Sequence, residues 1–131
     1  MANPNIVNVT SIVGGNAGWA LGTGLTTVLL TVSAENILKI NSLIVTNIHG
    51  TNAATVSVEI HGIAGGATGA LATNNLTTQV RIASTMNVPA DDSLVLIDKP
   101  IYLMEGDVLR GGASAASTLE LFASFEVIND A

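Results

Sequence analysis

The sequence predicts an all-β fold, an antiparallel β-sandwich of jelly-roll type, from two observations. The 131 residues include 13 Val, 12 Ile and 14 Thr, and β-branched side chains of this kind fit the pleated, half-buried surface of a strand. The 13 glycines fall mostly in short clusters between apolar runs, as turns do between the short strands of a sandwich or barrel. A chain of this length is expected to form one domain over residues 1–131, which buries about two-thirds of the unfolded surface.

Four strands are predicted in the first half of the chain. Ile6–Val13 is the first apolar run, and Thr26–Ser33 is a second run with aliphatic residues on both faces. Ile37–His49 is longer and is also apolar on both faces. Thr55–His61 alternates with a period of two, so its aliphatic residues are expected to face inward and its polar residues outward. The inward set is Val56, Val58 and Ile60, and the outward set is Ser57 and Glu59.

Five further strands are predicted in the second half. The first four are Gln79–Thr85, Ser93–Asp98, Ile101–Met104 and Val108–Arg110. The turn Glu105–Asp107 is predicted to join the last two of these as a hairpin, with Gly106 at a positive φ. The final strand places apolar residues at every second position on its inner face. They are Leu119, Leu121, Ala123, Phe125 and Val127.

A hairpin is predicted between the third and fourth strands. Its turn is Gly50–Ala54, and five residues is a common hairpin length. Centring the turn on Asn52 places aliphatic residues opposite one another on the core face. The two pairs are Ile48 with Val56 and Ile44 with Ile60. The same register turns Leu43 and Val45 outward, which favours a second packed layer or a contact with another chain.

The last strand also carries apolar residues on its outward face. Phe122 and Ile128 alternate there with polar residues, namely Glu120, Ser124 and Glu126. Apolar side chains on such a face favour a subunit contact, with a covering loop of the same chain as the alternative. The candidate interface predicted from the sequence is therefore Leu43, Val45, Phe122 and Ile128.

Composition disfavours several classes of function. The formal net charge is −6, from 4 basic and 10 acidic residues, whereas nucleic-acid binding needs a basic surface. Aromatic residues make up 3% of the chain, which is too few for a platform that stacks bases or sugars. A glycan-binding module stays open as an alternative, with Trp19, Asn74 and Asn75 as its candidate residues.

The sequence contains no recognisable motif for catalysis or metal binding. The chain has no Cys and two His. The predicted hairpin separates His49 from His61 by about 20 Å, at about 3.3 Å per residue, which is too far for one tetrahedral metal site. No Ser lies in a Gly-x-Ser-x-Gly frame. We therefore predict no enzymatic activity, no cofactor and no metal.

Acidic and glycine-rich clusters are interpreted as turns. Asp91–Asp92 and Glu105–Asp107 do not follow the spacing of an EF-hand loop, and they suit turn chemistry, with a weak divalent-ion site as the alternative. Gly14–Gly18 and Gly62–Gly69 lack the Gly-Lys-Ser/Thr ending of a phosphate-binding loop. Both glycine-rich segments are predicted as turns between strands.

No targeting segment is predicted. The first residues lack the basic and apolar regions of a secretory signal. The longest uncharged stretch, residues 1–34, is interrupted by Gly, Asn and Thr, so a transmembrane helix is not expected there. We expect no contact with a membrane.

Recognisable turn-and-strand signatures occur in three segments: Ala2–Val9, Leu38–Val56 and Val88–Asp107. Together they resemble a family of small virion structural proteins of tailed bacteriophages, of the cyanophage type. The resemblance covers most of the chain, although no pattern matches over residues 62–74. It implies a β-sandwich carried on the virion, and it brings no catalytic residues.

The resemblance does not fix whether the protein coats the head or belongs to the tail. We predict a capsid decoration, or cement, protein that stabilises the head by binding the major capsid protein. We expect a homo-oligomer, with a trimer favoured, that is made in the host cytoplasm and lies on the capsid surface. Binding to nucleic acid is not expected. Two alternatives stay open: a structural protein of the tail, neck, baseplate or fibre, and a glycan-binding host-attachment module.

Overall fold

A computed structural model describes residues 9–25, 27–62 and 79–129, which form nine β-strands. Predicted and observed strand bounds agree to within three residues for every strand except the first. The strands are β1 (Ser11–Ala20), β2 (Val28–Thr31), β3 (Asn36–Asn47), β4 (Ala54–His61), β5 (Gln79–Val88), β6 (Ser93–Ile97), β7 (Ile101–Leu103), β8 (Val108–Ala113) and β9 (Leu119–Asn129).

The strands form two antiparallel sheets, which makes the fold a β-sandwich. Sheet A has the order β1-β9-β3-β6, and β7 also pairs with β3. Sheet B has the order β2-β8-β4-β5. Most consecutive strands lie in opposite sheets, as in a jelly roll. The predicted fold class is confirmed.

One hydrophobic core fills the space between the sheets. Its fully buried side chains come from both inner faces, and each contributes about 1.5–3 kcal/mol when removed from water. The largest are Ile40, Leu43, Leu103, Leu109, Leu119, Leu121, Val45, Val56, Val58 and Val88. The inward face predicted for the last strand is confirmed, because Leu119, Leu121 and Ala123 are buried while Phe125 and Val127 pack against the core.

The predicted hairpin between the third and fourth strands does not form. β3 lies in sheet A and β4 lies in sheet B, so the chain crosses between the sheets after Asn47. Leu43 and Val45, predicted to face outward, are both 0% exposed, whereas Ile48 is 52% exposed. The turn-based register assigned β3 the wrong parity, and an error of one residue exchanges the two faces of a strand.

Asn47 stabilises this crossing. It is buried, and its side-chain Nδ2 donates to the carbonyl oxygens of Asn52 at 3.0 Å and Val88 at 2.9 Å. Its Oδ1 accepts the backbone N–H of His49 at 2.8 Å. The His49 Nδ1 in turn accepts the N–H groups of Thr51 and Asn52. Side-chain bonds of this kind offer the backbone an alternative to a strand ladder.

The glycine-rich segment Gly14–Gly18, predicted as a turn, is the middle of β1. β1 pairs with β9 without a register shift. Glycine at position 15 is required by packing, because a Cβ there would lie 2.8 Å from Cε1 of Phe125. Glycine in a strand often marks such a close approach. The predicted strand Ile6–Val13 falls partly on residues 1–8, which lie outside the described residues.

The two acidic turns are present, but neither joins a hairpin. Gly106 has a φ of 87°, and the buried Asp107 carboxylate accepts the N–H of Met104 at 3.0 Å. Asp92 Oδ1 accepts the N–H of Ser93 at 2.8 Å, and Asp91 has a φ of 57°. Each turn carries the chain from one sheet to the other.

Candidate interaction surface

One row of apolar positions runs across four strands on the outer face of sheet A. Phe122 in β9 lies between Gly18 in β1 and Ile44 in β3, and Ile44 lies opposite Val95 in β6. We refer to these four residues as the Phe122 row. Phe122 is 46% exposed and Val95 is 55% exposed, whereas Ile44 is half-buried. The row therefore offers aromatic and aliphatic surface to another molecule.

Strand alternation places Phe122 outward. Leu121 and Ala123 on either side of it are buried in the core, so its side chain must lie on the opposite face of β9. Its neighbour in β1 is a glycine, and an open groove of about 400 Å³ lies on this part of the face. The groove is lined by Gly18, Ala20, Ile44, Thr46, Glu120 and Phe122, among others.

Polar rows border the Phe122 row on both sides. One consists of Asn16, Ser124 and Ser42. The other consists of Ala20, Glu120, Thr46 and Ser93, and the hydroxyl oxygens of Thr46 and Ser93 are hydrogen-bonded at 3.0 Å. An apolar centre with a polar rim is the usual anatomy of a protein–protein contact.

A charged row lies further along the same face. Lys39 Nζ is 3.8 Å from Glu126 Oε1, and Asn41 Nδ2 donates to the same oxygen at 3.2 Å. Both charged side chains are partly exposed, so the ion pair contributes about 0–1 kcal/mol. Tyr102, paired with Lys39 in the register, is 53% exposed. Tyr102 is thus an exposed aromatic residue on the same face, outside the Phe122 row.

The structure keeps one of the four predicted interface residues on the exposed surface, and that residue is Phe122. Leu43 and Val45 belong to the core. Ile128 does lie on the outer face of sheet A, but it is 7% exposed because it sits between Ile12 and Ile37 in the register. It is therefore corrected from an interface residue to a buried one.

Ile44 and Val95 were missed in the sequence. Ile44 was assigned to the core by the wrong hairpin register. Val95 lies in the unbroken apolar run of β6. Because both faces of this strand are apolar in the sequence, alternation does not show which of its residues point outward. Phe122 was found because its own strand alternates between apolar and polar residues.

Glu59 was predicted to face outward, and its carboxylate is buried. It does lie on the outer face of sheet B, yet it is 6% exposed. Arg81 Nε is 3.9 Å from its Oε2, and Arg110 is its register partner in β8. Among the described residues, the buried Nε of Arg110 has no hydrogen-bond partner. These residues form a local charge cluster rather than an exposed acidic surface.

Within residues 9–25, 27–62 and 79–129, no group of three or more His, Asp or Glu side chains could hold a metal ion. Trp19, a candidate for glycan binding, is half-buried and packs against the core. Asn74, Asn75 and the predicted loop after Gly62 lie outside the described residues.

The described part of the chain contains no helix of the length and apolarity that a membrane span requires.

Comparisons with known proteins add one structural similarity. No family model matches the chain, and a search of curated proteins found no match. Among solved structures, a chain from the disulfide-linked pili of Bacillus endospore appendages is similar, with a TM-score of 0.45 and 16% sequence identity. The similarity covers 92% of this chain and 90% of that chain.

Proposed function

We propose that this chain is a structural subunit of a tailed-bacteriophage particle, and that it decorates the capsid by binding the major capsid protein. The observation that supports a binding role is the exposed Phe122 row within a polar rim. The assignment to a phage particle rests on the sequence resemblance in the strand and turn segments.

The Phe122 row suits a protein partner. Aromatic residues often contribute most of the binding free energy when they lie at the centre of a contact and polar residues surround them. Burying the exposed part of Phe122 contributes about 1 kcal/mol, and Val95 lies in the same row. The row is carried by paired strands, so few backbone degrees of freedom are lost on binding.

The chemistry of the surface also suits repeated attachment to a lattice. Charged residues form 11% of the chain, so few long side chains must be immobilised in a contact. The net charge of −6 favours a partner with basic patches. A single contact of this size is modest, but copies that also contact one another on a lattice bind more tightly through avidity.

Localisation and copy number test the proposal. An antibody raised against the purified chain is applied to intact particles of the phage that encodes it, and copies per particle are counted by quantitative mass spectrometry. Particles from a strain with the gene deleted serve as the control. Dense label over the head, at a copy number that follows the capsid lattice, supports decoration. Label on the tail or neck at low copy overturns decoration, and absence of the chain from particles overturns the whole proposal.

A further inference from the structure

β1 is an edge strand that lacks the features by which the other edges are protected. Exposed edges are usually short, bulged, charged or interrupted by proline, because a long regular edge is a template for another chain. β1 has ten residues, pairs with β9 in continuous register and contains neither charge nor proline. In the described ranges, β9 is its one strand partner.

The remaining edges each carry at least one protective feature. β2 has four residues and a register shift against β8. β5 has two register shifts against β4 and contains Arg81. β6 and β7 have five and three residues, and the pairing of β6 with β3 is also interrupted. β1 is therefore the edge to which a further strand can be added most readily.

Backbone hydrogen bonding determines which groups of β1 face the free side. The Leu21 N–H donates to the carbonyl of Leu119 at 2.9 Å, and the Ile48 N–H donates to the carbonyl of Thr118 at 2.9 Å. Because antiparallel pairs alternate between bonded and non-bonded, odd-numbered residues of β1 bond to β9. The N–H and C=O groups of the even-numbered residues point to the free edge. These residues are Ile12, Gly14, Asn16, Gly18 and Ala20.

We propose that this edge pairs with the β1 edge of a second copy, in antiparallel orientation about a two-fold axis. A two-fold axis perpendicular to the sheet keeps the outer faces of both copies on the same side. It therefore pairs even-numbered residues with even-numbered residues, as the hydrogen-bond pattern requires. A centre at Asn16 pairs Ile12 with Ala20 and Gly14 with Gly18. This register satisfies the N–H and C=O groups of all five free-edge residues in each copy.

The edge of β1 can accept a second copy because it carries no charge. Two chains of net charge −6 repel one another, and this repulsion is smallest where neither surface carries an acidic group. The first charged residue of the chain is Glu35, well beyond β1. Pairing of β1 with the β6 edge would place it beside Asp92 and Asp98, and a head-to-tail contact of that kind also continues into open assemblies. Self-pairing of β1 closes after two copies.

A cysteine cross-link tests this register. The chain contains no cysteine, so any disulfide that forms must join two copies of the introduced cysteine. Asn16→Cys places two thiols opposite one another at the axis, where a Cα separation of about 5.5 Å suits a disulfide. Ser11→Cys is the control, because its two copies lie about 30 Å apart in the paired strands. We expect a disulfide-linked dimer with Asn16→Cys under mild oxidation, and monomer with Ser11→Cys.

Oligomeric state tests the pairing without a cross-link. Analytical ultracentrifugation of the full chain should show a monomer–dimer equilibrium, and Asn16→Lys should raise the dissociation constant at least about tenfold because it places two cations at the axis. Asn87→Lys is the matched control, because Asn87 is exposed in β5 of the other sheet, and it should leave the dissociation constant unchanged. A monomer at every concentration, a trimer, or a dimer that Asn87→Lys disrupts and Asn16→Lys does not, would overturn the proposal. None of these results depends on whether the chain is found on a virion.

Discussion

Phe122 in β9 lies directly opposite Ile44 in β3, on the face of sheet A that points away from the core. One position along the same two strands, Leu121 lies opposite Val45, and both are buried. At these two positions the strand pair is therefore apolar on both faces, although only its inner face is needed for the sandwich. The outer pair is the part of the core-forming strands that remains available for a partner.

Replacing Phe122 with Ser should change the folding stability little. The residue is 46% exposed, so its loss removes a limited amount of buried apolar area, and we expect the free energy of unfolding to fall by about 1–2 kcal/mol, less than for a core residue. Urea denaturation of the purified variant measures this. A loss of several kcal/mol would show that Phe122 stabilises the sandwich itself, and it would remove the basis of the proposed surface.

Leu43→Ala should be strongly destabilising. Leu43 is 0% exposed in the core, and truncation of a buried leucine costs about 2–5 kcal/mol because it leaves a cavity. Val95→Ala is the matched control on the outer face, where 55% of the residue is exposed, and it should cost about 0.5 kcal/mol or less. Equal effects in chemical denaturation would argue that the inner and outer faces of sheet A are assigned incorrectly.

Gly15→Ala should destabilise the fold through Phe125. The added Cβ would lie 2.8 Å from Cε1 of the ring, and overpacking of this kind costs about 1–3 kcal/mol. Gly14→Ala is the control because no atom lies within 4 Å of its Cβ position. In a Phe125→Leu background the Gly15→Ala penalty should shrink, which a double-mutant cycle measures. A penalty that stays the same would indicate that the ring is not the cause.

Asp107→Ala should weaken the connection between β7 and β8. The carboxylate is buried at 3% exposure and accepts the Met104 N–H at 3.0 Å, so its loss leaves a backbone donor unsatisfied at a cost of about 1–3 kcal/mol. Asp98→Ala is the control, since Asp98 is exposed. Thermal unfolding of the two variants provides the comparison. Similar midpoints would mean that the turn forms without this hydrogen bond.

Strand positions and turn chemistry were predictable from the sequence because they depend on local patterns. The alternation in β9 predicted the outward position of Phe122, and Gly106 predicted the positive φ of its turn. The faces of β3 were not predictable in the same way, because Leu43, Ile44 and Val45 are consecutive apolar residues and the pairing with β9 shifts register between Ile40 and Ser42. The buried Asn47 stabilises the crossing between β3 and β4, and its partners Asn52 and Val88 belong to segments brought together by the complete fold.

Gly14–Gly18 illustrates the same limit. Glycine clusters usually indicate turns, but this cluster lies in a strand paired with β9, and Phe125 packs where a Gly15 side chain would lie. The packing partner is more than one hundred residues away in the chain. Local spacing in the sequence therefore identifies the glycines but does not reveal the packing that requires a glycine at position 15.

Binding of the purified chain to particles that lack it tests the central claim most directly. Particles from a gene-deletion strain are titrated with wild-type protein, with Phe122→Ser, and with Tyr102→Ser, which removes an equally exposed aromatic residue from the charged row of the same face. We predict saturable binding of the wild type to the head, a dissociation constant at least about tenfold higher for Phe122→Ser, and binding close to that of the wild type for Tyr102→Ser. Unchanged binding by a folded Phe122→Ser variant, or no binding by the wild type, would contradict the account.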